Sequence, residues 1–119
     1  TIGGAGGQID PTLVRVADLP RTQTDPLAAK VRSFLRRHYR FSSSGRRFAV
    51  ECVYSEEQLR YPQPDGSVCQ QKSVMENGTR LDCAGGFGAT TVVTATFGFV
   101  AVSRVLKKLQ ERAAREQAL

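Results

Sequence analysis

The sequence predicts an α/β fold of the layered kind, a small sheet with flanking helices, and three observations carry that expectation. An amphipathic segment with proline at its start follows Asp25, an alternating apolar segment runs over 48–54, and residues 89–116 keep helical spacing over most of their length. Two or three strands make a meagre sheet, so it is expected to extend into further sequence or another chain.

Leu13-Val14-Arg15-Val16-Ala17 sets β-branched residues on one face at a two-residue period between Pro11 and Pro20, the mark of a short strand. Asp25 then offers an N-cap and Pro26 a preformed first helical residue. Leu27, Val31, Phe34, Leu35 and His38 continue at three- and four-residue spacing. This predicts a helix of about 13 residues, with Lys30, Arg32, Arg36 and Arg37 on the opposite face. Beyond Ser42-Ser43-Ser44-Gly45, Phe48, Val50, Cys52 and Tyr54 alternate with Ala49, Glu51 and Val53, which predicts a largely buried strand.

Residues from about 55 to 88 hold Pro62, Pro64, Asp65-Gly66, Asn77-Gly78 and Gly85-Gly86, too much punctuation for a long element, and read as a long loop with at most brief strands. Asn77-Gly78-Thr79 is read as a turn within it. The opening of 89–116 is rich in Thr and Val and strand-like by propensity, but its length favours a helix. Val102, Val105, Leu106 and Leu109 keep the spacing, and Lys107, Lys108, Arg112 and Arg115 complement the dipole at its end. Gly98 costs such a helix about 1 kcal/mol against alanine, which a close approach to a neighbour would offset. The run 89–106 carries Thr90, Thr91, Thr94, Thr96, Ser103 and Arg104, so a buried helix is expected and not a membrane span.

With 119 residues and 40% hydrophobic content the chain suits a single small domain. It opens without Met directly before a glycine run, as a piece of a longer protein would. Seventeen Lys and Arg against eleven Asp and Glu leave a charge of +6. That excess commonly accompanies a polyanionic partner, nucleic acid first, with solubilising surface charge as the equal alternative. Cys52, Cys69 and Cys83 fit neither a disulfide framework nor paired zinc ligands, which agrees with a reducing, cytoplasmic setting.

The glycine run at 3–7 is read as a structural turn: no strand or P-loop pattern accompanies it, and Asp10-Pro11 follows where a helix should start. Cys83, just ahead of the last helix, is either a reactive thiol favoured by a helix N-terminus or a small residue in a turn beside Asp82. Cys52 belongs to the core, and Cys69 is an incidental loop residue. His38, the only histidine, is a helix-end residue and no metal ligand. Arg36, Arg37, Arg40, Arg46 and Arg47, with Tyr39 and Phe41 among them, are the candidate RNA contacts: guanidinium groups for phosphates and rings for a base. A solvated basic face is the alternative of equal weight.

Several strings together carry a resemblance: Gly-Gly-Ala-Gly-Gly-Gln-Ile-Asp-Pro-Thr at 3–12, Asp-Pro-Leu-Ala-Ala-Lys at 25–30, Tyr-Pro-Gln-Pro-Asp-Gly-Ser-Val-Cys at 61–69, Asp-Cys-Ala-Gly-Gly-Phe-Gly-Ala at 82–89, and Val-Thr-Ala-Thr-Phe-Gly-Phe-Val-Ala-Val-Ser at 93–103. Over nearly its whole length the chain resembles the C-terminal half of the bacterial tRNA-modifying members of the HesA/MoeB/ThiF (E1-like) family. The resemblance implies a partial Rossmann-like, E1-type sheet with flanking helices, residues 1–119 being a single C-terminal portion of the larger fold. It also implies an ATP- and magnesium-dependent threonylcarbamoyladenosine dehydratase that acts on tRNA, a homodimer, and a link to a cysteine-desulfurase system.

The family's G-x-G-G-x-G nucleotide fingerprint is not among these residues, so no cofactor-binding residue is placed on this segment, and alone it is expected to be inactive. Cys83 matches the cysteine of the family's Asp-Cys-Ala string, but ring closure on an activated carboxylate needs no protein nucleophile. The alternatives are a non-catalytic basic α/β module that binds RNA or a protein, and an E1-like sulfur-relay protein. The run with Val92, Val93, Phe97, Phe99 and Val100 further predicts self-association.

Overall fold

The computed structural model describes residues 1–63, 65–69 and 88–119. Strand β1 spans Val14–Asp18. A 3₁₀ turn, Pro11–Leu13, leads into it, capped by Asp10, whose carboxylate accepts from the Thr12 amide at 2.9 Å. A second 3₁₀ turn, Leu19–Arg21, leaves it for helix α1, Pro26–His38. Strand β2 is Glu51–Ser55, and β3 (Tyr61–Pro62) pairs with β4 (Val68–Cys69) as a small antiparallel ribbon. Helix α2 runs over Thr91–Gln117.

β2 lies in the middle of the main sheet. On one side it pairs antiparallel with β1, from Val14 opposite Ser55 to Asp18 opposite Glu51. On the other, Ile2 bridges Val53 in parallel, and the Gly3 amide donates to the Val53 carbonyl at 2.8 Å. The α/β layering is therefore present with mixed strand directions, and α1 connects antiparallel neighbours. Because the sheet is covered on both sides, alternate residues of β2 enter different cores. Cys52 and Tyr54 join Leu19, Ala28 and Phe48 on the α1 side, while Val53 joins Ala5, Val93 and Phe97 on the α2 side.

β2 begins later than its alternation predicts. Ala49 sits at φ 59°, and the Asp18 carboxylate takes the Phe48 and Val50 amides at 2.7 and 2.9 Å. The Phe48 and Val50 amides thus bond to a side chain where those of a strand would bond to a ladder.

α1 is also turned from the orientation its apolar spacing predicts. Ala28 is buried and Leu35 packs on the core, but Leu27, Val31 and Phe34 are 52%, 39% and 53% exposed. Arg32, expected on a solvated face, reaches inward and donates to the Thr22 hydroxyl at 2.6 Å and the Thr22 carbonyl at 3.3 Å. Satisfied cations can line a packed face, and the stem of Arg32 covers apolar surface while its head is bonded.

α2 is not the buried helix its composition suggests. Val93 and Phe97 are buried against the sheet, with Val100 and Ala101 behind them, while Val92, Phe99, Val102, Val105, Leu106 and Leu109 stand exposed. Among the described residues no helix is long and apolar enough to cross a membrane. The Glu51 carboxylate ties α2 to β2: it accepts from Arg104 Nε, from Arg104 Nη2 at 3.2 Å, and lies 3.8 Å from Lys108 Nζ.

Among the described residues Gly98 has no close neighbour, since a Cβ built there meets nothing within 4 Å. Gly98→Ala should therefore stabilise this chain by about 1 kcal/mol, read as a higher midpoint in urea denaturation; an unchanged or lower midpoint would show a hidden contact. The Arg104 guanidinium holds the Glu51 carboxyl below its ordinary range. Its folded value being depressed, the stabilisation is complete above the unfolded glutamate value, about pH 4.3, and is lost as pH falls through the lowered folded value. The stability gap between wild type and Glu51→Gln should be constant from about pH 7 to 5 and shrink below about pH 4.

Candidate nucleic-acid interface

The sequence offers five arginines as one group, and the structure divides them. Arg36 is a structural residue. Its Nε donates to the Ser42 carbonyl at 3.1 Å, and its guanidinium carbon lies 5.2 Å from the centroid of the Phe48 ring. Phe48 in turn meets Phe41 edge-on at 4.9 Å between centroids. Phe41, expected to be free for a base, is thus committed to packing, and Arg36 closes the loop over it.

Arg37, Arg40, Arg46 and Arg47 remain exposed, and among the described residues none pairs with a carboxylate. The local backbone brings their positions near one another in the chain path. α1 ends at Tyr39, whose amide still donates to the Leu35 carbonyl at 2.9 Å. Arg40 follows at φ 58°, a left-handed residue that reverses the chain. Gly45 at φ 79° turns it again before Arg46 and Arg47. The four arginines therefore belong to one helix end and the loop that follows it. Tyr39 is 63% exposed in the same segment, and its ring lies 6.0 Å from that of Phe34, which also meets His38 in a tilted contact at 4.5 Å. An exposed ring among unpaired guanidinium groups can stack a base while phosphates are held.

The other sequence candidates fall out differently. Cys83 lies outside the described residues, as do Asn77-Gly78-Thr79 and most of the 55–88 segment. Cys52 is buried, and burial, with the Asp25 carboxylate nearby, pushes its thiol pKa up, as for an inert core residue. The glycine run at 3–7 does follow an extended residue, Ile2, but its amides are used within the protein: Gly4 N donates to Asp25 Oδ2 at 3.0 Å and Gly7 N to the Gly88 carbonyl at 3.0 Å. Those bonds, with that of Gly3 N to the Val53 carbonyl, take the Gly3, Gly4 and Gly7 amides away from a phosphate. Among the described residues no cluster of three or more His, Cys, Asp or Glu could hold a metal ion.

Sequence reasoning missed two buried polar residues beside this turn, Gln8 and Glu57. Glu57 accepts the Ile9 amide at 2.9 Å and the Asp10 amide at 2.6 Å, and Gln8 Nε2 donates to the Glu57 carbonyl at 3.1 Å. Glu56-Glu57 reads as a solvated pair, and nothing local distinguishes its buried member.

No protein-family model matches the chain. Curated relatives include the tRNA threonylcarbamoyladenosine dehydratase of Escherichia coli (strain K12), 55% identical over 117 residues, which covers 98% of this chain and 44% of the relative. The protein of that name from Haemophilus influenzae is 50% identical over 113 residues, 94% of this chain and 41% of its own. Among solved structures, one described as TcdA (CsdL) superposes with a TM-score of 0.79 at 50% identity, over 96% of this chain and 40% of that one. The E. coli tRNA N6-threonylcarbamoyladenosine dehydratase in complex with ATP gives 0.72 at 46% identity, over 96% and 38%. The chain thus spans less than half the length of the curated relatives it matches.

The division of the arginines is testable by stability. Arg36→Ala should lower it by about 1 kcal/mol through the lost carbonyl bond and ring contact, whereas Arg37→Ala should stay within about 0.5 kcal/mol of wild type. Thermal denaturation of the two variants side by side reads the difference.

Proposed function

We propose, from the homology of this chain to a segment of the tRNA threonylcarbamoyladenosine dehydratases, that it supplies the tRNA-binding and dimer surfaces of such an enzyme. The observation that carries the reading is the near-complete match of this chain to those relatives at 50–55% identity, together with exposed arginines that pair with no carboxylate among the described residues. In the whole protein, ATP activates the threonyl carboxylate: a carboxylate oxygen takes up the adenylyl group and pyrophosphate leaves. An internal nitrogen of the threonylcarbamoyl group then attacks the activated carbonyl carbon, and AMP leaves as the ring closes. Catalysis of this kind rests on positioning and on stabilising developing charge.

ATP and AMP complexes of the E. coli relative support the adenylation step. The glycine turn of this chain does not fit the nucleotide, because Gly4 N and Gly7 N are already bonded. We therefore assign ATP and its magnesium to residues outside these 119 and derive no step through them here. Homodimerisation is supported by Val92, Phe99, Val102, Leu106 and Leu109 on the exposed side of α2, the last four at three- and four-residue spacing and the first lying two turns before them. A cysteine-desulfurase partner belongs to the same reading through Cys83, although ring closure itself does not require that thiol. A cytoplasmic location accords with a tRNA substrate.

tRNA affinity measured across salt concentration tests the basic face. Each lost phosphate contact removes about 0.7 to 0.9 from the slope of log K against log salt. In the full-length protein, Arg37→Ala, Arg40→Ala and Arg46→Ala combined should weaken tRNA binding and flatten that slope by roughly two to three units, leaving ATP affinity unchanged. Wild-type affinity and slope in the triple variant would return the patch to the role of a solvated face.

A further inference from the structure

A cavity of about 280 Å³ opens at the head of α2, bounded by Gly7, Gln8, Ile9, Arg60, Gly88 and Thr90. Two buried side-chain oxygens without a hydrogen-bond partner among the described residues, Gln8 Oε1 and Thr90 Oγ1, both belong to residues that line it. Gln8 is only 1% exposed, and its Nε2 is held by the Glu57 carbonyl at 3.1 Å, which leaves Oε1 as its single unused polar atom. Thr90 is the N-cap of a 27-residue helix, yet its hydroxyl makes no capping bond. The first bonds into that helix are Val93 N and Thr94 N to the Thr90 carbonyl, each 3.1 Å, so the Thr91 and Val92 amides at its start take no part in the ladder.

These groups set the chemistry of an occupant. Gln8 Oε1 only accepts, so it asks for an N–H or O–H donor. The first amides of α2, its dipole and the Arg60 cation favour an anion, to which the Thr90 hydroxyl can also donate. An α-ammonium group would satisfy Oε1 but would set a positive charge against Arg60 and the positive helix end. A phosphodiester, which carries no proton at neutral pH, offers Oε1 no donor. A carboxylate whose α-nitrogen is acylated or carbamoylated meets both demands, and Ile9, Pro62 and Val68 give the remaining walls room for a small apolar side chain.

We propose that this cavity binds the carboxylate end of an N-carbamoylated amino acid, with Thr90 and the first amides of α2 on the carboxylate and Gln8 on the carbamoyl nitrogen. The assignment deepens the reading above and rests on it for the identity of the amino acid, since a threonylcarbamoyl group carries both functions.

Titration of this chain with N-carbamoyl-threonine, followed by amide correlation spectroscopy, is the test. Saturable shifts are expected at the Gly88, Thr91 and Val92 amides and the Gln8 side-chain amide, with half-saturation on the order of 1–10 mM. Thr90→Val removes a hydroxyl that caps nothing and should raise the half-saturation about fivefold to tenfold. Gln8→Leu should do the same. The carboxamide analogue of the probe, which lacks the negative charge, should give no saturable shift. The proposal is overturned if those amides do not move, if inorganic phosphate saturates them as readily, or if both variants bind as wild type does. tRNA binding does not enter the readout, so a failed titration leaves the tRNA reading standing, and a failed tRNA assay leaves a successful titration standing.

Discussion

The buried carboxylate of Asp25 is the joint on which the arrangement turns. One oxygen caps α1 by accepting the Ala28 amide at 2.9 Å, and the other holds the Gly4 amide at 3.0 Å, so the start of the helix and the glycine turn share one anion that is only 4% exposed. Bonds to a charged acceptor are worth roughly 1.5–3 kcal/mol each when made and leave an expensive buried charge when broken. The shared contact also explains the residue before the turn. A Cβ on Gly3 would stand 1.9 Å from Asp25 Oδ2, so only glycine lets the extended segment pass the helix cap. Thr24, a β-branched residue at φ 60°, is held in a strained conformation immediately before Asp25, and the two bonds of the carboxylate offset that strain.

Asp18 and Glu57 repeat the device. Asp18 gathers the Phe48 and Val50 amides, and Glu57 gathers those of Ile9 and Asp10. With so little strand among the described residues, irregular backbone must find acceptors elsewhere when it is buried, and three carboxylates provide them. They set the glycine turn against the segment after β2 and the loop after α1 against the sheet. The first of these junctions forms the wall that carries Gln8 beside the head of α2. The second brings Phe41, Phe48 and Arg36 together and leaves the neighbouring arginines outside. Both candidate surfaces are by-products of where the backbone amides had to be satisfied.

α2 shows the division of labour from the other side. Val93 and Phe97 cover the sheet, Arg104 pairs with Glu51, and an apolar stripe remains on the opposite side with Phe99 at 77% exposure. A helix with two apolar faces can be covered on both, and the described residues cover one of them. The exposed Leu27, Val31 and Phe34 of α1 make the same point for the other layer.

The sequence by itself determined the helices and the strand β1, because their signals are local: Asp25-Pro26 started α1 where it begins, spacing and length decided α2 against its strand-like composition, and Pro11 and Pro20 bracketed β1. The long shared strings were also enough to carry the family resemblance. The tertiary structure alone decided which face of each helix turns inward, where β2 starts, and which arginines are free. Those outcomes depend on contacts between residues far apart in the chain: Asp18 with Phe48 and Val50, Arg32 with Thr22, Arg36 with Ser42 and Phe48, Gly3 with Asp25. A periodic pattern reports that a face is apolar, but not whether this chain or another surface covers it. A run of arginines likewise reports charge, while only the fold says which guanidinium is already bonded.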